Sequence, residues 1–188
     1  MFFKKKDNIE KKQIRKLYNR IRLEEKNRNI KEKEISKRII DLDIFKEAKV
    51  VALYFGKGSE LNTDILIKEC FKQEKIVCFP KVIDDSNMKF YKVSSIYDLA
   101  LGKFDIMEPT TEEIINSKDI DLMIIPGVAF DKKLNRLGYG KGYYDHYMKN
   151  NTYIKVGICF ESQIAFYIPV DKHDIKMDMV ITEKNIYK

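Results

Sequence analysis

"KVVALYFGKGSELNTDILIKECFKQEKIVCFP", Lys49 to Pro80, decides the fold. Its first seven residues are an apolar, β-rich run that ends at Gly56, and such a run reads as a buried strand. Asn62 or Thr63 can then cap a helix through "DILIKECFKQ", because a short polar side chain satisfies free N–H groups of the first turn. "KIVCFP", Lys75 to Pro80, is the next strand, and Pro80 is expected to stop it. Strand, helix and strand make a βαβ unit. The strand runs are continuously apolar rather than alternating, which places them in a parallel sheet covered on both faces.

The same pattern extends outward in both directions. Before Lys49, Ile14, Leu17, Tyr18 and Ile21 fall at helical spacing, so a helix over roughly residues 8 to 25 is expected to dock this stripe on a core. A second helix carries Ile35, Ile39 and Leu42. After Pro80 come a short strand at "MKFYKV", a turn of helix near "SIYDLA", and a loop holding Glu108 and Pro109. "DLMIIPG" and "YIKVGICF" read as two further buried strands separated by a glycine-rich loop and a helix at "YYDHYMKN", and "DMVIT" closes the set. The expectation is an α/β fold over residues 1–188 as one domain: a mostly parallel sheet flanked by helices on both faces, with an N-terminal basic helix pair. Ligands of such sheets bind beyond the carboxyl ends of the strands.

Composition narrows the function classes. Hydrophobic residues make up 44% of the 188, too many for a disordered chain. The net charge of +7 is confined to one quarter of the chain: residues 1–49 hold 17 Lys/Arg against 9 Asp/Glu, and the rest hold 19 against 20. That excess sits on helices, where a solvated face explains it as well as a nucleic-acid surface does. Cys70, Cys78 and Cys159 are far apart in apolar settings and read as core residues, neither a disulfide framework nor a zinc site. No segment approaches a membrane span and "MFFKKKDN" is unlike a signal peptide, so a cytoplasmic monomer without a membrane or nucleic-acid partner is expected.

The loop "RLGYGKGYYD", Arg136 to Asp145, carries three of the chain's eight glycines. Glycine at every second position frees backbone N–H groups to turn toward an anion, and Arg136 and Lys141 add positive charge. Known phosphate fingerprints do not match. Lys141 is followed by Gly142 instead of Ser or Thr, and the glycine spacing is G-x-G-x-G rather than G-x-G-x-x-G. Tyr144 and Asp145 break the pattern of an RNA-recognition strand. By itself the loop is either a polyphosphate cradle or a plain turn.

Its wider neighbourhood is more specific. "PGVAFDKKLNRLGYGKGYYD" resembles the signature of the 5-formyltetrahydrofolate cyclo-ligase family, also called methenyltetrahydrofolate synthetase. "KKQIR", "ELNT", "FDIMEP" and "HDIKMDMVIT" are similar to four further elements of that family, in the same order. Asp105 replaces a usual glycine, Leu61 a usual Ile or Val, and Leu134 stands where glycine is frequent.

The resemblance implies ATP-dependent conversion of 5-formyltetrahydrofolate, free or polyglutamylated, to 5,10-methenyltetrahydrofolate, with ATP as co-substrate and Mg2+. It implies that Arg136 and Lys141 are catalytic, and that ATP is held by Lys11, Arg15, Arg136, Leu137, Gly138, Tyr139, Gly140, Lys141, Gly142, Tyr143 and Tyr144. Folate falls to Phe55, Glu60, Tyr139, Gly140, Lys141, Gly142 and Tyr143, and the metal to Asp145 and Asp178. Lys11 and Arg15 lie at i and i+4, on one helix face. Each assignment has a plainer alternative: a solvated basic rim for Lys11 and Arg15, a core side chain for Phe55, a cap for Glu60, a helix-start charge for Asp145, a turn carboxylate for Asp178. Two other functions stay open, an RNA-binding protein built on the same domain and an isomerase or transferase acting on a phosphorylated sugar.

Overall fold

A computed structural model describes residues 2–102, 106–149 and 151–188, with side chains from Ile9 onward. Phe104 and Asp105 of the "FDIMEP" element lie outside the described residues. The chain opens with helices α1 (Phe2–Leu23), α2 (Arg28–Asp41) and α3 (Asp43–Glu47), and then enters β1 (Val50–Ala52), α4 (Asp64–Lys72) and β2 (Ile76–Val82). β1 and β2 pair in parallel, Val51 opposite Val77, so the βαβ unit stands as expected. α4 starts after Thr63, but Asn62 supplies the cap, its Oδ1 accepting from Asp64 N at 2.7 Å, while the Thr63 hydroxyl donates to Tyr54 O.

β3 (Met88–Val93) follows antiparallel to β2, then β4 (Leu99–Leu101), β5 (Met107–Pro109) and β6 (Ile114–Ile115). β7 (Leu122–Ile125), β8 (Ala129–Asp131), β9 (Arg136–Leu137), α5 (Tyr143–Met148), β10 (Ile154–Ile158), β11 (Ile164–Ala165), β12 (Met179–Ile181) and β13 (Ile186–Tyr187) complete the chain. The eight-stranded sheet has the order β13-β12-β10-β7-β1-β2-β3-β6. Its five central strands, β12, β10, β7, β1 and β2, are mutually parallel, and antiparallel strands close both edges.

Period-two alternation divides each central strand between two cores. Val51, Leu122, Ile124 and Val156 face α2, α3 and α4, where Ile35, Phe45, Leu66 and Ile67 are buried. Ala52, Met123, Ile125 and Val180 face the other way, toward Met148 of α5. The cysteines are free and buried, and burial pushes the Cys70 thiol up to about 12.

Several elements differ from the sequence reading. Pro80 does not end β2, which runs on to Val82 paired with β3. Cys78 O points toward β1, accepting from Leu53 N, so the backbone nitrogen two residues on points the same way, past the end of β1. Lacking an N–H, the proline cannot donate the next bond of that ladder, so pairing with β1 stops there and β2 continues on its β3 side alone. Glu108 and Pro109 lie in β5 rather than in a loop, held by β4. The small sheet β11-β8-β9 had no strong sequence signal because its strands are two or three residues long. Leu17 is 53% exposed, so only Ile14 and Tyr18 of the expected α1 stripe pack against the cluster of Ala129, Leu137, Ala165 and Ile168. Leu134 takes a left-handed backbone, φ 66°, which explains why glycine suits that position.

Candidate active site

The inward face of α1 is as cationic as it is apolar. Lys11, Arg15 and Arg22 sit beside Ile14 and Tyr18, and Lys11 and Arg22 are buried. The Lys11 ammonium donates to Asp171 at 2.7 Å and to Asp174 at 2.5 Å. Burial alone would lower its pKa, but those two ion pairs outweigh the loss of water and raise it. Arg15 Nε donates to Gly138 O at 2.7 Å, fastening α1 to the glycine loop. Burial lowers Arg15, and Asp174 opposes that shift.

The loop turns on Gly140 and Gly142, whose φ angles of 96° and 76° suit glycine, and Gly142 leads into α5. The two expected catalytic cations are in unlike settings. Arg136 is buried: its guanidinium donates to Asp145 Oδ2 at 2.8 Å and to Pro126 O at 3.2 Å, and lies over the Tyr144 ring. It is a pinned cation. Lys141 is exposed and has no ion pair among the described residues. Asp145 also accepts from Ile175 N at 3.2 Å, next to Asp174, so the loop and the 171–175 turn close on each other.

These groups wall a cavity of about 430 Å3 at the carboxyl ends of β1, β2 and β7. Lys11, Arg15 and residues 136–145 form one side, Tyr54, Phe55 and Glu60 a second, and Pro80, Val82, Met88, Met107 and Glu108 a third. Glu60 Oε2 accepts from Lys57 N at 2.8 Å, and its carboxylate faces the Tyr139 hydroxyl. Burial, followed by the charge of Glu60, pushes the Tyr139 phenol up. Arg22 donates to that hydroxyl at 2.7 Å and to Ser59 Oγ at 3.0 Å, so α1 also fixes the Glu60 side.

Every residue expected to bind ATP or folate lines this cavity. Leu137 does so with its side chain buried among Ala129, Ala165 and Ile168, which leaves its backbone for a ligand. Of the two expected metal aspartates, Asp145 lines the cavity and Asp178 does not. Asp178 precedes β12 and accepts from Lys155 N at 2.8 Å while pairing with Lys155 Nζ. Both residues lie at the amino-terminal edge of the parallel strands, opposite the cavity. In its place the fold brings Asp174 and Asp171 to the cavity. Asp174 and Glu108 stand inside two of the family-like stretches, "HDIKMDMVIT" and "FDIMEP", but neither was expected in the site, nor were Asp171, Arg22 and Tyr54. For the last three, the helical spacing of Arg22 from Arg15 and Tyr18 is the one signal the sequence holds. Neither His146 nor His173 lines the cavity.

A parallel α/β sheet with a glycine loop and a cation-lined cavity beyond its strand ends defines a class, the small-molecule enzymes that handle anionic substrates. Known proteins specify which. The profile of the 5-formyltetrahydrofolate cyclo-ligase family matches residues 4–183. A probable 5-formyltetrahydrofolate cyclo-ligase of Schizosaccharomyces pombe is 37% identical over 82% of this chain and 84% of its own. The 5-formyltetrahydrofolate cyclo-ligase of Mus musculus is 34% identical over 79% and 80%. The solved 5,10-methenyltetrahydrofolate synthetase of Aquifex aeolicus superposes with a TM-score of 0.84 at 38% identity, covering 95% of this chain and 92% of that one. The chain belongs to the 5-formyltetrahydrofolate cyclo-ligase family, and with it to the ligases of folate metabolism.

Proposed function

We propose that the chain uses ATP to cyclise 5-formyltetrahydrofolate to 5,10-methenyltetrahydrofolate, releasing ADP and phosphate. The observation that carries this reading is the one cavity that Lys11, Arg15, the glycine loop, Phe55 and Glu60 all line. The N5-formyl oxygen is a poor leaving group, so the terminal phosphoryl group of ATP must first pass to it, the P–O bond to ADP breaking as the bond to the formyl oxygen forms. N10 then bonds to the formyl carbon and gives up its proton, the C–O bond breaks, and the oxygen leaves within inorganic phosphate.

Phosphoryl transfer asks a protein for position and charge neutralisation more than for covalent chemistry. Lys141, exposed and without an ion pair among the described residues, is a cation placed to follow the transferring group, while Lys11, Arg15 and the amides from Gly138 to Tyr144 hold the nucleotide. Arg136 serves the site by holding Asp145 and the loop in place. Phe55 and Tyr139 to Tyr143 offer ring faces and amides to the folate, and Glu60 an acceptor.

The carboxylates suit magnesium, which takes one or two of them and fills its remaining positions with phosphate oxygens and water. Asp145 and Asp174 would hold it. They are on adjacent turns joined by the Ile175 N to Asp145 bond, and no cluster of three or more metal-binding side chains exists among the described residues. When bound, the ion neutralises charge on the phosphates.

Residues 1–188 would act as one domain and as a cytoplasmic monomer, on a substrate that includes polyglutamylated forms. No described helix is long and apolar enough to cross a membrane. The test is to mix purified protein with ATP, magnesium and 5-formyltetrahydrofolate and follow the near-ultraviolet absorbance of the methenyl product. An ATP-dependent rise is expected; a flat trace, or salt-sensitive nucleic-acid binding in its place, sinks the reading.

A further inference from the structure

Two arginines outside the cavity converge on the turn that carries Glu60. Arg22 stands in the last turn of α1 and is 6% exposed, Arg28 is the first residue of α2, and neither lines the cavity. Arg22 donates from Nε to Ser59 Oγ at 3.0 Å, from Nη1 to the Tyr139 hydroxyl at 2.7 Å and to Gly127 O at 3.5 Å, and from Nη2 to Asn19 Oδ1 at 3.2 Å. All four acceptors are uncharged. A guanidinium taken out of water without a carboxylate stabilises a fold poorly, so the value of this one lies in what it bridges. On one side is Ser59, next to Glu60, and on the other Tyr139 of the glycine loop.

The bridge also has a direction. A guanidinium only donates, so the Tyr139 oxygen accepts from Arg22 and its proton turns to Glu60. Arg28 acts on the backbone of the same turn: Nη2 donates to Ser59 O and Glu60 O, each at 3.0 Å, and Nη1 to Arg22 O at 3.0 Å. Inside the turn, Glu60 N donates to Lys57 O at 3.0 Å and Lys57 N to Glu60 Oε2 at 2.8 Å, which shapes the turn without fixing where it sits.

We infer that Arg22 and Arg28 are positioning residues for the cyclisation: Arg22 sets the distance between the glycine loop and the Glu60 turn, and with it the approach of nucleotide to folate, while Arg28 seats the turn alone. The inference rests on the folate reading above, and each arginine acts through residues that line the cavity. Phosphoryl transfer needs its reacting atoms about 3–3.5 Å apart, and a misplacement of about 1 Å can cost about 100-fold, so loss of the Arg22 bridge is read in kcat. Loss of the Arg28 seat is read in KM for the folate.

The experiment is steady-state kinetics in ATP and in 5-formyltetrahydrofolate, with thermal melts, on wild type, Arg22→Lys, Arg28→Lys, Tyr139→Phe, Ser59→Ala and the Tyr139→Phe/Ser59→Ala pair. Lysine keeps the charge but not the rigid fork that reaches two acceptors. Arg22→Lys is expected to lower kcat by about 100-fold while still folded at the assay temperature, and Arg28→Lys to raise KM for 5-formyltetrahydrofolate by about 10-fold with KM for ATP held. Tyr139→Phe and Ser59→Ala each remove one end of the same bridge. Together they should lose less than the product of their separate losses, and adding Arg22→Lys to the pair should cost little more. Losses that multiply, or an equal rise of both KM values in Arg28→Lys, overturn the inference. If Arg22→Lys does not fold, the Tyr139→Phe/Ser59→Ala pair decides: a loss smaller than the product upholds the bridge and the full product overturns it. A wild type that does not cyclise the substrate with ATP defeats the folate reading, and this inference with it.

Discussion

At the amino-terminal edge of the sheet, Asp121 and Asp178 stand one residue before β7 and β12 and fasten backbone: Asp121 Oδ2 accepts from Lys49 N and Val50 N, Asp178 Oδ2 from Lys155 N, each at 2.8 Å. At the carboxyl-terminal edge, Asp145 and Asp174 also accept from backbone, Ile175 N and Asp171 N, but the cations they pair with, Arg136 and Lys11, line the cavity, whereas Lys155 beside Asp178 does not. Parallel strands start with N–H groups that no neighbour reaches, and a carboxylate just before the next strand satisfies them. An aspartate's position in the sheet therefore separates a structural staple from a site residue. Its sequence context does not, since Asp174 and Asp178 are four residues apart in one motif.

The largest effect expected from disturbing this contrast is at Arg136. Truncating one member of a buried pair strands the other charge, typically costing about 3–5 kcal/mol. Arg136→Ala should lose stability on that scale and turnover with it, measured by denaturant unfolding and the cyclisation assay. Lys133→Ala, on an exposed side chain of the same hairpin, is the reference. Equal unfolding midpoints would show that the pin is unimportant.

Lys141→Ala should separate chemistry from stability. Its side chain is exposed, so melting is expected to be unchanged, while turnover falls by about 100-fold, as for loss of a transition-state charge partner. A drop no larger than that of Lys133→Ala would remove it from the mechanism.

Exchanging the two aspartates of one motif tests the edge rule directly. Asp174→Asn should lower turnover by about 10-fold and raise the magnesium concentration needed for half-maximal rate, as for a weakened oxygen ligand. Asp178→Asn should cost about 1 kcal/mol of stability through weaker acceptance from Lys155 N and leave turnover in place. The opposite pattern would return the metal role to Asp178.

Much of this architecture was legible in the sequence, because continuous apolar runs such as Val50–Phe55 and Leu122–Ile125 can only be satisfied inside a two-sided sheet. The glycine loop was legible only with its neighbours: alternate glycines alone left a phosphate cradle and a plain turn open, and the surrounding stretch from Pro126 to Asp145 decided between them. Asp174 and Glu108 were not legible as site residues. Their place in the cavity depends on which edge of the sheet they reach, and that is a tertiary property. α1 was half legible. Its 3.6 period identified the helix, yet Arg22 and Lys11 turn inward where Leu17 turns out, because the surface they meet offers carboxylates and a tyrosine hydroxyl rather than apolar groups.

The two edges should also part at alkaline pH, a smaller effect. The amino-terminal staples rest chiefly on backbone N–H donors, which do not titrate in the working range, with the Lys155 ammonium added at Asp178. The carboxyl-terminal edge relies in part on Lys11, whose burial lowers its pKa while Asp171 and Asp174 raise it further, so the folded value lies above the ordinary 10.5. A raised folded pKa means that the folded state binds the proton more tightly. The stabilisation is therefore complete below the unfolded value and is lost as pH climbs through the folded one. Unfolding free energies of wild type and Lys11→Met, compared from pH 8 to pH 12, should differ by a constant amount at first and converge at the alkaline end. Other lysines and tyrosines titrate alike in both proteins and cancel. Lys11→Arg, which keeps its charge throughout, should not converge with Lys11→Met, and a wild-type difference that stays flat to the top of the range would show that the clamp on Asp171 and Asp174 contributes no linkage.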